Sequence, residues 1–173
     1  MSRIDYDLTR IQAIAFDMDG VLSASTVAVR EDGTLQRHSN VKDGYAIQYA
    51  LRRGMRIAVI SGARDLSMLP AYRSLGIEDV FFHVADKGEC ITRWMSDRGL
   101  APESVAYVGD DIPDIPAMRL VGLPCVPRDA SVEAKCEARY ISPCNGGAGV
   151  ARDLISQILS SRGEWMCDDA HLW

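Results

Sequence analysis

No uninterrupted apolar stretch among the 173 residues approaches the roughly 18 to 20 that cross a bilayer, so a membrane partner is not expected. Clustered cations are missing too. Lys and Arg total 19 against 24 Asp and Glu, a net charge of −5. Nucleic-acid affinity comes chiefly from grouped Lys and Arg, which argues against nucleic acid as a partner. The five cysteines, Cys90, Cys125, Cys136, Cys144 and Cys167, form no C-x-x-C pair, and no basic segment with an apolar core opens the chain. These features predict reduced thiols in a cytoplasmic protein. His38, His83 and His171 lie far apart, none at ligand spacing from a cysteine, so a zinc site is not expected. Repeats, low-complexity runs and Pro/Ser-rich linkers are absent, and the length predicts one domain over 1–173. What remains is a globular chain, 47% hydrophobic, acting on small molecules or proteins.

Apolar runs alternate with helix-length amphipathic stretches, the pattern of a parallel sheet covered by helices. The fold class is therefore α/β. The runs Ile11–Phe16, Arg56–Ile60, Asp79–Phe82, Val105–Val108 and Leu123–Val126 read as strands, several continuously apolar, as strands buried on both faces are. Helices are predicted over Asp43–Arg53, Asp65–Leu75, Lys87–Arg98, Asp114–Val121, Ser131–Ala138 and Val150–Ser161. Asp86 followed by Glu89 has capping-box spacing and starts a helix at Lys87. Gly54, Gly76, Gly99 and Gly122 each follow a helical stretch, where a left-handed cap is wanted. Val27–Arg30 and Leu35–His38 around Asp32-Gly33 read as a hairpin, a flap spanning about residues 22–40.

The chemistry-bearing residues gather at strand ends. Phe16-Asp17-Met18-Asp19-Gly20 closes the first strand, and alternation turns Asp17 and Asp19 the same way. In open α/β sheets, ligands bind beyond the carboxyl ends of strands. Gly109-Asp110-Asp111-Ile112-Pro113-Asp114 closes the fourth apolar strand with three more carboxylates. Such crowding suits a hard cation, Mg²⁺ rather than Ca²⁺ when water and a phosphate supply the remaining ligands. Asp114 also stands where it could cap the next helix, and Asp111, on the opposite side of the strand end, reads as a supporting or solvated residue. Ser61-Gly62 precedes a predicted helix, a place where backbone N–H groups cradle phosphate. Lys87 opposes the dipole of its helix and invites an anion.

Together, Asp17-x-Asp19, Ser61, Lys87 and Gly109-Asp110-x-x-x-Asp114 resemble the four motifs of the haloacid-dehalogenase-like phosphatase superfamily over residues 11–121. The resemblance implies a three-layer Rossmann-like fold, with Asp17 as nucleophile and Asp19 as general acid/base. It makes Ser61 and Lys87 the phosphoryl-binding pair, supported by Gly62. Mg²⁺ would be held by the Asp17 carboxylate, the Asp19 backbone carbonyl and Asp110, with Asp111 and Asp114 supporting.

No insertion reaches the roughly 50 residues of a cap domain. A capless chain with Asp19-Gly20-Val21-Leu22-Ser23, a flap, Asn40-Val41-Lys42-Asp43-Gly44-Tyr45 and Gly146-Gly147-Ala148-Gly149-Val150-Ala151-Arg152 resembles the 3-deoxy-manno-octulosonate 8-phosphate phosphatases over about residues 11–160. It departs from them at Ala24-Ser25 and at Gly62-Ala63-Arg64. The resemblance implies a phosphorylated sugar acid as substrate and a homotetramer in which flaps and C-terminal tails, here about 162–173, cover neighbouring sites. Lys42, Arg64 and Arg152 are candidate substrate contacts, since cations suit an anionic ligand. A nine-carbon sugar-acid phosphatase and a non-catalytic assembly module are the alternatives. The intact acidic set weighs against the latter.

Overall fold

The computed structural model describes residues 4–172. In chain order its elements are β1 (Ala13–Phe16), β2 (Ala28–Val29), β3 (Leu35–Gln36), α1 (Val41–Arg52), β4 (Arg56–Ile60), α2 (Leu69–Ser74), β5 (Asp79–Phe81) and α3 (Lys87–Arg98). These are followed by β6 (Val105–Val108), α4 (Ile115–Met118), β7 (Leu123–Val126), α5 (Val132–Glu137), β8 (Tyr140–Ile141) and α6 (Val150–Ser161). Six strands form one parallel sheet in the order β5-β4-β1-β6-β7-β8. Every residue of β1 is buried because both faces are covered. Ile14 and Phe16 point into the layer containing α1 and α6, while Ala13 and Ala15 point into the layer of α3, α4 and α5. Burying each large apolar side chain contributes about 1.5–3 kcal/mol, which is why continuous apolar runs select this three-layer arrangement.

The chain leaves β1 toward β4 and β5, then returns to the other side of β1 for β6. That reversal opens a crevice at the carboxyl end of β1, between β4 and β6. Among the described residues no helix is long and apolar enough to cross a membrane.

Local chemistry moves several boundaries. Asn40 caps α1, its side chain accepting from the N–H groups of Lys42 (2.9 Å) and Asp43 (3.3 Å), so the helix starts before the expected Asp43. The helix expected from Asp65 starts only at Leu69. Asp65 instead turns the chain by accepting from the Ser67 N–H at 2.8 Å, and Pro70 sits in the first turn of the shortened α2. The phosphate cradle expected at a helix N-terminus is therefore a loop. Asp86 does cap α3, accepting from the Glu89 N–H at 3.0 Å, but Glu89 turns to Arg93 and does not return the bond. Gly54, Gly76 and Gly99 are left-handed as expected, whereas Gly122 is not. A Cβ there would lie 2.3 Å from the Tyr6 hydroxyl, so close packing is what requires that glycine. The two-residue β8 is too short to show a sequence pattern.

β2 and β3 form the expected flap, pairing Ala28 with Gln36 and Val29 with Leu35 and belonging to no larger sheet. Residues 162–172 return along α1. Trp165 meets Tyr49 edge-on at 5.3 Å and Tyr45 at 6.5 Å, and Tyr49 donates to the Glu164 carbonyl at 3.1 Å. Trp173 lies outside the described residues. Aromatic pairs contribute about 0.5–1.5 kcal/mol each beyond their buried area. Truncation after Ser161 is expected to lower Tm by about 5–10 °C, measured by differential scanning calorimetry. An unchanged Tm would show that the tail contributes nothing to its own domain.

Candidate active site

Four strand-linked segments bring their functional groups to the crevice. Asp17 follows β1 and is only 6% exposed. Lys87, the first residue of α3, places Nζ 2.7 Å from Asp17 Oδ1 and 2.7 Å from Asp114 Oδ1. Asp114 is fully engaged by the protein. Its Oδ1 also accepts from the Tyr107 hydroxyl at 2.7 Å, and its Oδ2 accepts from the N–H groups of Asp110 (3.0 Å) and Asp111 (3.2 Å). It thus braces the loop after β6 while orienting Lys87. Asp111 is exposed and accepts from the Ile112 N–H at 2.8 Å, a capping contact. Ser61 is buried after β4, and its Oγ accepts from the Ala63 N–H at 3.1 Å, leaving its proton for another acceptor. Gly62, beside it, is exposed.

The electrostatics follow from this crowding. Burial, reinforced by the Asp114 charge, pushes the Asp17 carboxyl up to about 8 despite Lys87. Burial and Asp114 likewise raise Asp110 to about 6. Burial pulls the Lys87 ammonium down, but Asp17 and Asp114 outweigh it and hold it above its ordinary value. Carboxylate oxygens of Asp17, Asp110 and Asp114 lie within 4.8 Å of one another, with charge that the single lysine does not neutralise. This all-oxygen donor set fits a small hard cation such as Mg²⁺. Asp114 already serves four donors, so Asp17 and Asp110 are the carboxylates better placed to bind it. The fit also requires glycine nearby: at Gly20, with φ +86°, a Cβ would lie 1.9 Å from Asp110 Oδ2. The late glycine loop packs just behind, where a Cβ on Gly146 would meet the Gly20 carbonyl oxygen at 2.0 Å.

Asp19 stands apart from the three-carboxylate group. Its Oδ1 accepts from Arg37 Nε at 2.7 Å and from the Ser23 hydroxyl at 2.9 Å, and its Oδ2 from Arg37 Nη2 at 2.9 Å. A cavity of about 490 Å³ opens beside it, between flap and β4 loop, lined in part by Leu35, Arg37, Ala63, Arg64 and Asp65.

Comparison with known proteins places the chain in a family. A haloacid dehalogenase-like hydrolase family profile matches residues 76–154. The 3-deoxy-D-manno-octulosonate 8-phosphate phosphatase of Escherichia coli K12 is 32% identical over 154 residues, covering 89% of this chain and 82% of that protein. This chain belongs to that phosphatase family. Two solved relatives superpose closely. The Moraxella catarrhalis phosphatase, in complex with magnesium, phosphate and KDO, has a TM-score of 0.86 and 26% identity, covering 90% of this chain and 89% of that one. The cobalt-bound Haemophilus influenzae phosphatase has a TM-score of 0.90 and 26% identity, covering 96% and 99%.

The expected substrate contacts stand on different elements. Arg64 is exposed on the cavity wall and Lys42 is exposed at the start of α1. Arg152 stacks over Tyr45 (5.6 Å) and Trp165 (5.3 Å), and so faces the tail. Three site residues escaped the sequence reading. Tyr107 stands in an apolar strand and reads as core. Tyr72 is buried on α2 with its hydroxyl lacking a hydrogen-bond partner among the described residues, and burial, with the charges of Asp19 and Asp17, pushes its phenol pKa up. Arg37 had only one signal, a cation on the returning strand of a hairpin next to the site, and His38 shared it.

Proposed function

We propose that the protein is a Mg²⁺-dependent phosphatase for 3-deoxy-D-manno-octulosonate 8-phosphate, working in the cytoplasm as a homotetramer. The buried Asp17–Lys87 pair at the carboxyl end of β1, beside Asp110 and Asp114, carries this reading. Asp17 attacks phosphorus in line, forming an aspartyl-phosphate as the bond to the C8 oxygen breaks. Asp19 gives its proton to the departing alkoxide, then takes one from the water that cleaves the aspartyl-phosphate, releasing inorganic phosphate and restoring Asp17. Lys87 and the Ser61 hydroxyl hold the phosphoryl oxygens. Asp17, Asp110 and the Asp19 carbonyl would hold Mg²⁺, which would supply positive charge at the phosphoryl group.

Phosphate release from eight- and nine-carbon sugar-acid phosphates, with and without Mg²⁺, tests the assignment. Turnover highest with the eight-carbon ester supports it, and inertness to all of them refutes it. Asp19→Asn is expected to lower kcat on an alkyl phosphate by about 10²- to 10⁴-fold, and far less on p-nitrophenyl phosphate, whose leaving group needs no proton. Equal losses on both would remove Asp19 from that role. The self-paired flap with its exposed Val29 supports assembly, because a two-stranded ribbon is marginal without packing. Light scattering should give a mass near four copies of the 19.0 kDa chain.

A further inference from the structure

Arg37 is the flap's link to the catalytic centre. Among the described residues, the hydrogen bonds and ion pairs joining residues 27–39 to the rest of the chain all come from its guanidinium. Its side chain is 2% exposed, although it stands on a ribbon whose strands are largely solvent-facing. Nε and Nη2 grip both oxygens of Asp19, while Nη1 reaches Asp65 Oδ2 at 2.8 Å. Asp65 is itself fixed by the Ser67 N–H and hydroxyl. One arginine thus bridges two carboxylates on the wall of the cavity next to the proposed phosphoryl site.

This arrangement conflicts with proton donation. A general acid directs an O–H at the leaving oxygen. Here both Asp19 oxygens receive N–H groups, and Oδ1 also receives the Ser23 hydroxyl. Productive binding therefore requires Arg37 to release Asp19. When Asp19 leaves, Asp65 still balances the guanidinium, but Nε and Nη2 of a side chain only 2% exposed lose their acceptors unless another anion takes its place. The planar fork matches a carboxylate or a phosphoryl group, and with the phosphoryl group held by Lys87 and Ser61, the carboxylate is the anion left for Arg37.

We infer that Arg37 determines specificity by exchanging Asp19 for the carboxylate of the substrate, with Asp65 holding the guanidinium throughout. The inference rests on the phosphatase reading above and adds to it the reason a carboxylate is needed. An acid-bearing ester frees Asp19 as it binds, whereas an ester without a carboxylate leaves Asp19 latched. Arg64, exposed on the same wall, adds positive charge where the acid enters.

Steady-state kinetics of wild type, Arg37→Met and Arg37→Lys on the eight-carbon sugar-acid phosphate and on a hexose 6-phosphate, both esters of primary alcohols, test the exchange. Arg37→Met should lower kcat/KM for the sugar acid by roughly 10- to 100-fold, chiefly through KM, the scale of one charge-assisted contact. Its kcat on the hexose phosphate should rise, because Asp19 is no longer gripped. Arg37→Lys keeps the charge without the fork and should fall between. Thermal unfolding of each variant identifies any loss of folding. Equal losses on both esters in the folded Arg37→Lys protein would reduce Arg37 to a flap tether and overturn the exchange. Wild-type turnover of the sugar acid with unaltered discrimination in Arg37→Met would overturn the exchange alone. A wild type inert to sugar-acid phosphates would overturn both the exchange and the function on which it rests.

Discussion

Asp17→Asn is expected to lose turnover by on the order of 10⁵-fold or more, the scale seen when a covalent enzyme loses its nucleophile. The amide keeps the shape of the carboxyl group but cannot form the aspartyl-phosphate. The site itself should survive, because Lys87 retains Asp114 at 2.7 Å and Asp114 keeps its other three donors. Stability should even gain at neutral pH in the absence of metal. The Asp17 carboxyl is pushed up to about 8 by burial and by Asp114, so its ionisation is unfavourable in the folded state. Phosphate release and a parallel thermal melt in chelator at pH 7.5 check both halves. Wild-type-like turnover would eliminate covalent catalysis by Asp17. A Tm well below wild type would show that the charge of Asp17 stabilises the fold.

Chelation should silence the enzyme, Mg²⁺ should restore it, and Ca²⁺ should not, since its looser, higher coordination misplaces the attacking oxygen. The same carboxylates set the pH dependence of the metal-free protein. Asp17 and Asp110 have folded-state values of about 8 and about 6, above the ordinary 3.8. The native state then binds more protons than the unfolded chain between about pH 4 and 8, so stability falls as pH rises through that window. Mg²⁺ favours the deprotonated site and should offset this loss. Its stabilising effect should therefore be larger at pH 8 than at pH 5, reaching about 2.7 kcal/mol at a hundredfold excess over Kd. Melting curves across pH with EDTA or Mg²⁺ measure it. Full activity in excess chelator, or a Tm of the metal-free protein that climbs from pH 5 to 8, would contradict the assignment of Asp17 and Asp110.

The parallel sheet, the strand-end positions of Asp17, Asp19, Ser61 and Asp110, and the helix-start positions of Lys87 and Asp114 were legible in the sequence. Apolar runs buried on two faces are visible as composition, and a polar group just past such a run can only lie at the sheet edge. Helix α3 was readable to the residue because Asp86 and Gly99, its caps, carry their chemistry locally. Local chemistry also misled: Asp65 looked like the start of a helix until its side chain was seen engaged with Ser67 and Arg37. Pairings between distant segments were decided by tertiary structure alone. Nothing near Arg37 in the chain marks it as the partner of Asp19, 18 residues earlier, and of Asp65, 28 residues later. Tyr107 reads as one more apolar strand residue, and only the turn of the following loop sets Asp114 against its hydroxyl. Periodicity and caps report forces acting within a few residues, whereas an ion pair across the crevice depends on where two independently folded segments come to rest.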